Sequence, residues 1–348
     1  MNTRGQFTKE EIYSQADAWT AALLLLKAQR LEIQDLWGKF DQVIFTGCGS
    51  TYYLALSAAA VFQELTGVPA RGIPASELWL YPRSSYPAEG PVLLVAVSRS
   101  GETSETLNAC DAFKRSGRGT LLTLSCYPDM PLAHTGELNL VFPPGAERSV
   151  AQTRAFTTLY LASTAFAGFC AGREDLLRDL EELPKVGERI LKDYTSLAVQ
   201  LGNDMSLDRF YFLGSGARYG LACELSLKMK EMSLSHSEPF HFMEFRHGPK
   251  SMVTPGTLVV GLVSLANHDY ETAVLADMRA LGGRILEIGE SGGEVAFKSG
   301  LDQAISNILY LPVGQILAFE RSIAKELNPD QPHNLDTVVK LDPIEKDS

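Results

Sequence analysis

Closely paired cysteines are missing from this chain, and their absence narrows what it does. Cys48, Cys110, Cys126, Cys170 and Cys223 are odd in number, widely spaced and set in apolar surroundings, with no C-x-x-C pair among them. They read as reduced core thiols of a cytoplasmic protein, not as a disulfide framework. A long apolar run is also lacking: the leucines at 23–26 stop at Lys27, far short of a membrane span. The first residues show no basic region followed by an apolar stretch and a cleavage site, so no signal peptide is expected. Positive charge is scarce, with Lys+Arg 31 against Asp+Glu 42 and a net charge of -11. That balance argues against a nucleic-acid surface, which needs clustered cations, but leaves room for one phosphate in a local pocket.

What is present is material for two cores and a duplicated pattern. With 348 residues, 45% of them apolar and 21% charged, the chain can fill two domains of about 150 residues each. An apolar run, a Gly-x-Gly turn and a helix with small residues occur at Gly47-Cys48-Gly49 and again at Gly214-Ser215-Gly216. Such a repeat predicts two similar α/β units. Strands are expected at 43–46, 70–73, 92–98, 119–125 and 138–142, and again at 210–213, 257–263, 284–288 and 308–311, with a further segment near 239–245. Alternation with helices of 10 to 15 residues implies parallel sheets covered on both faces, a three-layer α/β/α arrangement of flavodoxin-like type. Thr8 and Glu11 fit a capping box, and one lead-in helix is expected to run to about residue 38. The expected division is a lead-in at 1–40, a first domain with connecting helix at 41–200, a second domain at 201–330 and a tail at 331–348. No low-complexity stretch or free linker interrupts it.

Four stretches carry chemistry. Ser98-Arg99-Ser100-Gly101-Glu102-Thr103 lies where a strand ends and a helix begins. Free N–H groups, the helix dipole and the hydroxyls of Ser98, Ser100 and Thr103 there suit a phosphate monoester; an ordinary N-cap uses the same residue types. Gly47 and Gly49, followed by Ser50 and Thr51, match a dinucleotide fingerprint only in part, and suit close backbone approach to a ligand or tight helix packing. Glu224, Lys228 and Glu231 stand at i, i+4 and i+7 and share a helix face. A salt-bridged surface helix gives this pattern too, but the surrounding Leu225, Leu227, Met229 and Met232 point to partial burial. His236, His241 and His247 crowd twelve residues. His241, Glu244 and His247 lack the H-x-x-x-H spacing of a metal site, so no metal is assigned. His247, just before Gly248-Pro249, is placed to project into a cleft as an acid or base.

In order along residues 40–340, these stretches resemble the sugar isomerase (SIS) domain family. The likeness is to the tandem-domain isomerase portion of glucosamine-6-phosphate synthase and to stand-alone amino-sugar-phosphate isomerases and deaminases. It also draws on Thr153-Arg154-Ala155-Phe156-Thr157 and, in the tail, Asp330-Gln331-Pro332-His333-Asn334-Leu335. The resemblance implies that Ser98, Ser100 and Thr103 grip a sugar 6-phosphate, that Ser50 and Thr51 contact sugar or phosphate, and that Val150 and Gln152 line the sugar. It further implies that Glu231 moves a proton between C1 and C2, that His247 opens the ring from a neighbouring subunit, and that a homodimer shares its active sites. Three departures stand out. No glutaminase domain precedes residue 40, Thr337 stands where the synthase has a Schiff-base lysine with Lys340 too late to replace it, and Arg99 stands where glutamine is usual, a change that adds charge to the phosphate or alters its geometry.

The chemistry of the residues agrees with these roles. Aldose–ketose interconversion needs a base near two carbons, a proton carrier for the ring oxygen and donors to an enediol oxygen; Glu231, His247 and Lys228 are of those types, and neither metal nor cofactor is required. The leading expectation is an amino-sugar 6-phosphate isomerase/deaminase acting on glucosamine or galactosamine 6-phosphate with release of ammonia. A phosphosugar isomerase without nitrogen chemistry, a deglycase of sugar–amine adducts, and a non-catalytic phosphosugar-binding regulator are the alternatives.

Overall fold

The computed structural model describes residues 4–341, which form two five-stranded sheets, each parallel throughout. The first contains β1 (Gln42–Gly47), β2 (Ala70–Pro74), β3 (Val92–Val97), β4 (Gly119–Ser125) and β5 (Leu138–Val141) in the order β2-β1-β3-β4-β5. The second contains β6 (Arg209–Leu213), β7 (His236–Phe240), β8 (Thr257–Leu262), β9 (Arg284–Gly289) and β10 (Val295–Ala296) in the order β10-β9-β8-β6-β7. Read from the other edge, that is the same arrangement, so the duplication extends from two glycine turns to the whole topology. The central strands β3 and β8 are buried at every position. Continuous apolar runs are what a parallel sheet covered on both faces demands.

The halves share one core. Phe45 and Phe62 from the first half, Phe166 from the connecting helix Arg154–Ala171, and Phe212 and Leu225 from the second belong to a single buried cluster. The Phe62 and Phe166 rings stack with centroids 5.4 Å apart. The halves approach closely between the helices Ser50–Thr66 and Arg218–Ser233, where Gly220 lies against the Tyr53 carbonyl and Ser57. A Cβ on Gly220 would meet Ser57 N at 2.9 Å and crowd the Tyr53 carbonyl oxygen. Gly220→Val is therefore expected to separate the helices and destabilise the protein by about 2–3 kcal/mol in urea unfolding, as overpacking does. Unchanged stability would show that the contact does not hold the halves together.

Several local expectations are corrected. The lead-in is not one helix but three, Gln6–Tyr13, Gln15–Ala28 and Arg30–Gln34. Thr8 and Glu11 form no capping box, because the helix starts upstream at Gln6 and both side chains point to distant partners. The backbone N–H and hydroxyl of Thr8 each donate to Asp330 at 2.8 Å, and Glu11 accepts from the Arg148 and Ser149 N–H groups at 2.5 and 3.2 Å. The run expected as a strand at 308–311 is a 3-10 turn, Asn307–Tyr310, leading into the helix Leu311–Ala324. All four residues of that turn are buried, and a short apolar run buried on every side carries no periodicity to distinguish strand from helix. The fifth strand is instead Val295–Ala296. The segment expected at 239–245 divides into β7 and the short helix Phe242–Phe245. Among the described residues no helix is long and apolar enough to cross a membrane.

Candidate active site

In the order β2-β1-β3, the boundary between β1 and β3 is the switch point of the first sheet. The helix after β1 packs into the shared core and the helix after β3, Ser104–Ser116, packs on the opposite face, so a crevice opens at the C-terminal ends of these strands. Both glycine-containing sequence motifs of the first half lie there. Cys48 Sγ touches Thr106 Oγ1 at 3.5 Å, bringing the turn after β1 against the helix after β3.

The loop after β3 is folded by its own hydroxyls. Gly101 N–H donates to Ser98 Oγ at 3.2 Å and Glu102 N–H to Ser100 Oγ at 3.2 Å, while the Ser98 and Thr103 hydroxyls pair at 3.2 Å. Gly101 takes a φ of 71°, a left-handed conformation that glycine adopts without strain. Ser98 and Ser100 are buried beside the N-terminus of a 13-residue helix, where the dipole favours an anion. Thr51 is spent on the first turn: its hydroxyl accepts from Cys48 N–H and donates to Cys48 O, both at 2.9 Å.

Ser50 reaches the other half. Lys228 Nζ donates to Ser50 Oγ at 3.0 Å, and Ser50 Oγ donates to Glu224 Oε1 at 3.2 Å. Lys228 also lies 3.3 Å from Glu224 Oε1 and 2.5 Å from Glu231 Oε2. The i, i+4, i+7 face therefore does not point at solvent. Glu224 and Lys228 are wholly buried, whereas the Glu231 side chain keeps 19% of its surface exposed. Burial pushes the Glu224 carboxyl up to about 8; Lys228 opposes this and Glu231 adds to it. For Lys228, burial acts downward, but the two carboxylates outweigh it and the ammonium is held above its ordinary range. The cluster thus presents a fixed cation between Glu224, whose carboxyl burial holds above its ordinary range, and a partly exposed Glu231. Glu231 opens onto a cleft of about 240 Å³ that Asn328 and His333 of the tail also line.

Glu224 titrates with a definite sign. Its folded value of about 8 lies above the ordinary 4.5, so its contribution to stability is full below about 4.5 and is lost as pH rises toward 8. Glu224→Gln is expected to flatten the fall in melting temperature between those pH values. A variant that keeps the wild-type slope would place the titration elsewhere.

The remaining expected site residues are dispersed in role. Half-buried Val150 donates its N–H to Asp330 O at 3.0 Å, joining its loop to the tail. Gln152 keeps a buried Oε1 that among the described residues has no hydrogen-bond partner, an acceptor suited to a ligand hydroxyl or amine. Arg99 donates to the carbonyls of Ser149 (3.1 Å), Val150 (2.9 Å) and Thr337 (3.1 Å) and lies 3.5 Å from Glu147. His247 is exposed just beyond Phe242–Phe245, and among the described residues its ring makes no hydrogen bond. Within one chain it does not join the Lys228 cluster.

Two acids beside the site are not marked as site residues by the sequence pattern. Glu224 shows there only as a residue sharing a helix face with Lys228 and Glu231, among apolar neighbours that signal burial. Glu147 gave no signal, since it lies in an irregular loop. Its Oε1 accepts from Thr153 N–H (2.8 Å), Thr153 Oγ1 (3.0 Å) and Ala155 N–H (3.0 Å), capping the helix Arg154–Ala171. Among the described residues the second half shows no open counterpart of the loop after β3. There Glu271 fills the corresponding end of its own helix, accepting Ser264 N–H at 2.6 Å and lying 3.5 Å from Arg218.

A family model for the SIS domain matches residues 38–168 and 206–308, and the chain belongs to that family. Its relatives include the isomerizing glutamine–fructose-6-phosphate aminotransferases of Pseudomonas putida, 31% identical over 90% of this chain and 54% of that protein, and of Methanothermobacter thermautotrophicus, 28% identical over 88% and 52%. The chain spans about half the length of these curated relatives. The crystal structure of glucosamine-6-phosphate deaminase from Thermotoga maritima superposes with a TM-score of 0.83 at 28% identity, covering 96% of this chain and 99% of that one. Tagatose-6-phosphate ketose/aldose isomerase from Escherichia coli gives 0.85 at 22% identity over 98% of both chains, a likeness of fold alone.

Proposed function

We propose that the protein is an amino-sugar 6-phosphate isomerase/deaminase, converting glucosamine or galactosamine 6-phosphate to the ketose 6-phosphate and ammonia. The observation that carries this reading is the link from the switch-point turn to the rear helix: Lys228 to Ser50, with Glu231 as the partly exposed carboxylate of the same cluster. The full-length likeness to the Thermotoga deaminase supports the nitrogen chemistry.

In this scheme the loop of Ser98, Ser100 and Thr103 holds the phosphate, and Ser50, Val150 and Gln152 surround the sugar, while Thr51, its hydroxyl engaged with Cys48, holds the turn that carries Ser50. His247 of a neighbouring subunit in a homodimer moves the proton that opens the ring. Glu231 removes the C2 proton of the open-chain aldose and returns it to C1, while Lys228 stabilises the developing oxygen charge. The resulting C2 imine takes up water, and the C2–N bond breaks to release ammonia and leave the C2 carbonyl. Atoms balance with water as the only co-reactant.

An ammonia assay across glucosamine, galactosamine and N-acetylated 6-phosphates tests the proposal, with fructose 6-phosphate plus ammonia as the reverse reaction. The expected result is stoichiometric ammonia from a free-amine substrate. Isomerisation without ammonia would reduce the reading to a phosphosugar isomerase, and phosphosugar binding without turnover would make the chain a regulator.

A further inference from the structure

The two positions at which the sequence departs from its family's pattern, Arg99 and Thr337, meet in the structure: Arg99 Nη2 donates to the Thr337 carbonyl at 3.1 Å. The other arm of the guanidinium donates to the Ser149 and Val150 carbonyls at 3.1 and 2.9 Å. One side chain in the loop after β3 thus binds the backbone of two other segments, the loop that leads to Gln152 and the tail.

Neighbouring bonds tie the same segments. Ser104 N–H, at the start of the helix after β3, donates to Val339 O at 3.3 Å, and Leu341 N–H donates to Ser104 Oγ at 3.1 Å. Val150 N–H donates to Asp330 O at 3.0 Å. Arg99 is 4% exposed, and Glu147, its carboxylate neighbour among the described residues, is itself fixed by the Thr153 and Ala155 N–H groups. With its guanidinium donating to three carbonyls and facing Glu147, Arg99 is committed to protein partners. A planar fork is suited to holding several carbonyls at once, and an ammonium is not.

We propose that Arg99 is a positioning residue that clamps the tail at Thr337 and the 149–150 loop onto the loop after β3, and does not itself bind the phosphate. This rests on the reading of the Ser98–Thr103 loop as the phosphate site. It assigns a function to a substitution that sequence alone would place on the anion: the arginine holds the tail through its backbone where the synthase's tail supplies a reactive lysine.

The test uses the full chain with Arg99→Gln and Arg99→Lys. Three quantities are read: amide hydrogen exchange of the 337–341 segment without ligand, the Kd for inorganic phosphate, and the kcat and KM for an amino-sugar 6-phosphate. Loss of the charge-assisted bonds is expected to speed tail exchange about tenfold in Arg99→Gln. Inorganic phosphate affinity should stay within about twofold and the sugar-phosphate KM should rise, because the sugar-side walls loosen while the anion loop stays intact. Arg99→Lys should rescue neither tail exchange nor KM. Unchanged tail exchange overturns the proposal, and so does a tenfold or greater loss of phosphate affinity, even with a loosened tail. If Arg99→Gln does not fold because Glu147 is left buried and unpaired, the pair Arg99→Gln, Glu147→Gln removes that charge and is read by the same criteria. Exchange and phosphate binding need no turnover, so they decide the role of Arg99 even if the wild-type protein proves not to be a deaminase.

Discussion

Glu231→Gln is expected to lower ammonia release from amino-sugar 6-phosphates by about 10²–10⁴-fold, the range a positioned general base supplies, while substrate Kd changes by less than about threefold. The substitution is nearly isosteric, and its 2.5 Å contact with Lys228 can persist through the amide oxygen. What it removes is the capacity to accept a proton between C1 and C2. Turnover by the coupled assay and binding by calorimetry separate the two effects. A variant that deaminates within about tenfold of wild type would remove Glu231 from the chemistry, since general-base loss costs more than that.

The second large effect is expected at Lys228. Lys228→Met leaves Glu224 and Glu231 facing each other without the cation that lies 3.3 and 2.5 Å from them. Breaking a buried ion pair by deleting one partner costs about 3–5 kcal/mol when the orphaned charge persists. Here Glu224 provides a partial escape. Its carboxyl is already pushed up to about 8 with Lys228 present, and removing the cation raises it further, so the acid remains neutral over a wider range. Destabilisation of the variant should therefore be modest and nearly constant from pH 5 to about 7 and grow as pH rises past 8, where folded wild type releases the Glu224 proton that the folded variant keeps. Chemical unfolding from pH 5 to 9 would record a divergence between variant and wild type, with turnover reduced at every pH. Parallel stability curves would mean that Lys228 does not govern the ionisation of Glu224.

Much of the architecture was legible because parallel sheets write themselves as apolar runs separated by glycine turns. Gly47 and Gly214 announced the duplication, and the burial of Leu225 and Met229 correctly weakened the case for a surface helix. Where reading failed, the deciding interactions were tertiary. Thr8 and Glu11 have the local spacing of a cap, but Asp330 and Ser149, far along the chain, take their hydrogen bonds. Asn307–Tyr310 is apolar enough for a strand, yet packs as a helical turn. The direction of Arg99 was equally hidden: its position in a hydroxyl-rich loop suggests the anion, and only the placement of Thr337 and Val150 reveals that its donors go to carbonyls.

The central claim is spatial, and a crystal structure of the protein with a bound amino-sugar 6-phosphate or its open-chain analogue tests it most directly. The account predicts phosphate oxygens on the Ser98, Ser100 and Thr103 loop, C1 and C2 within about 3–3.5 Å of the Glu231 carboxylate, and His247 of the neighbouring subunit at the ring oxygen. A sugar phosphate bound away from that loop, or bound there with Glu231 out of reach of both carbons, would contradict it.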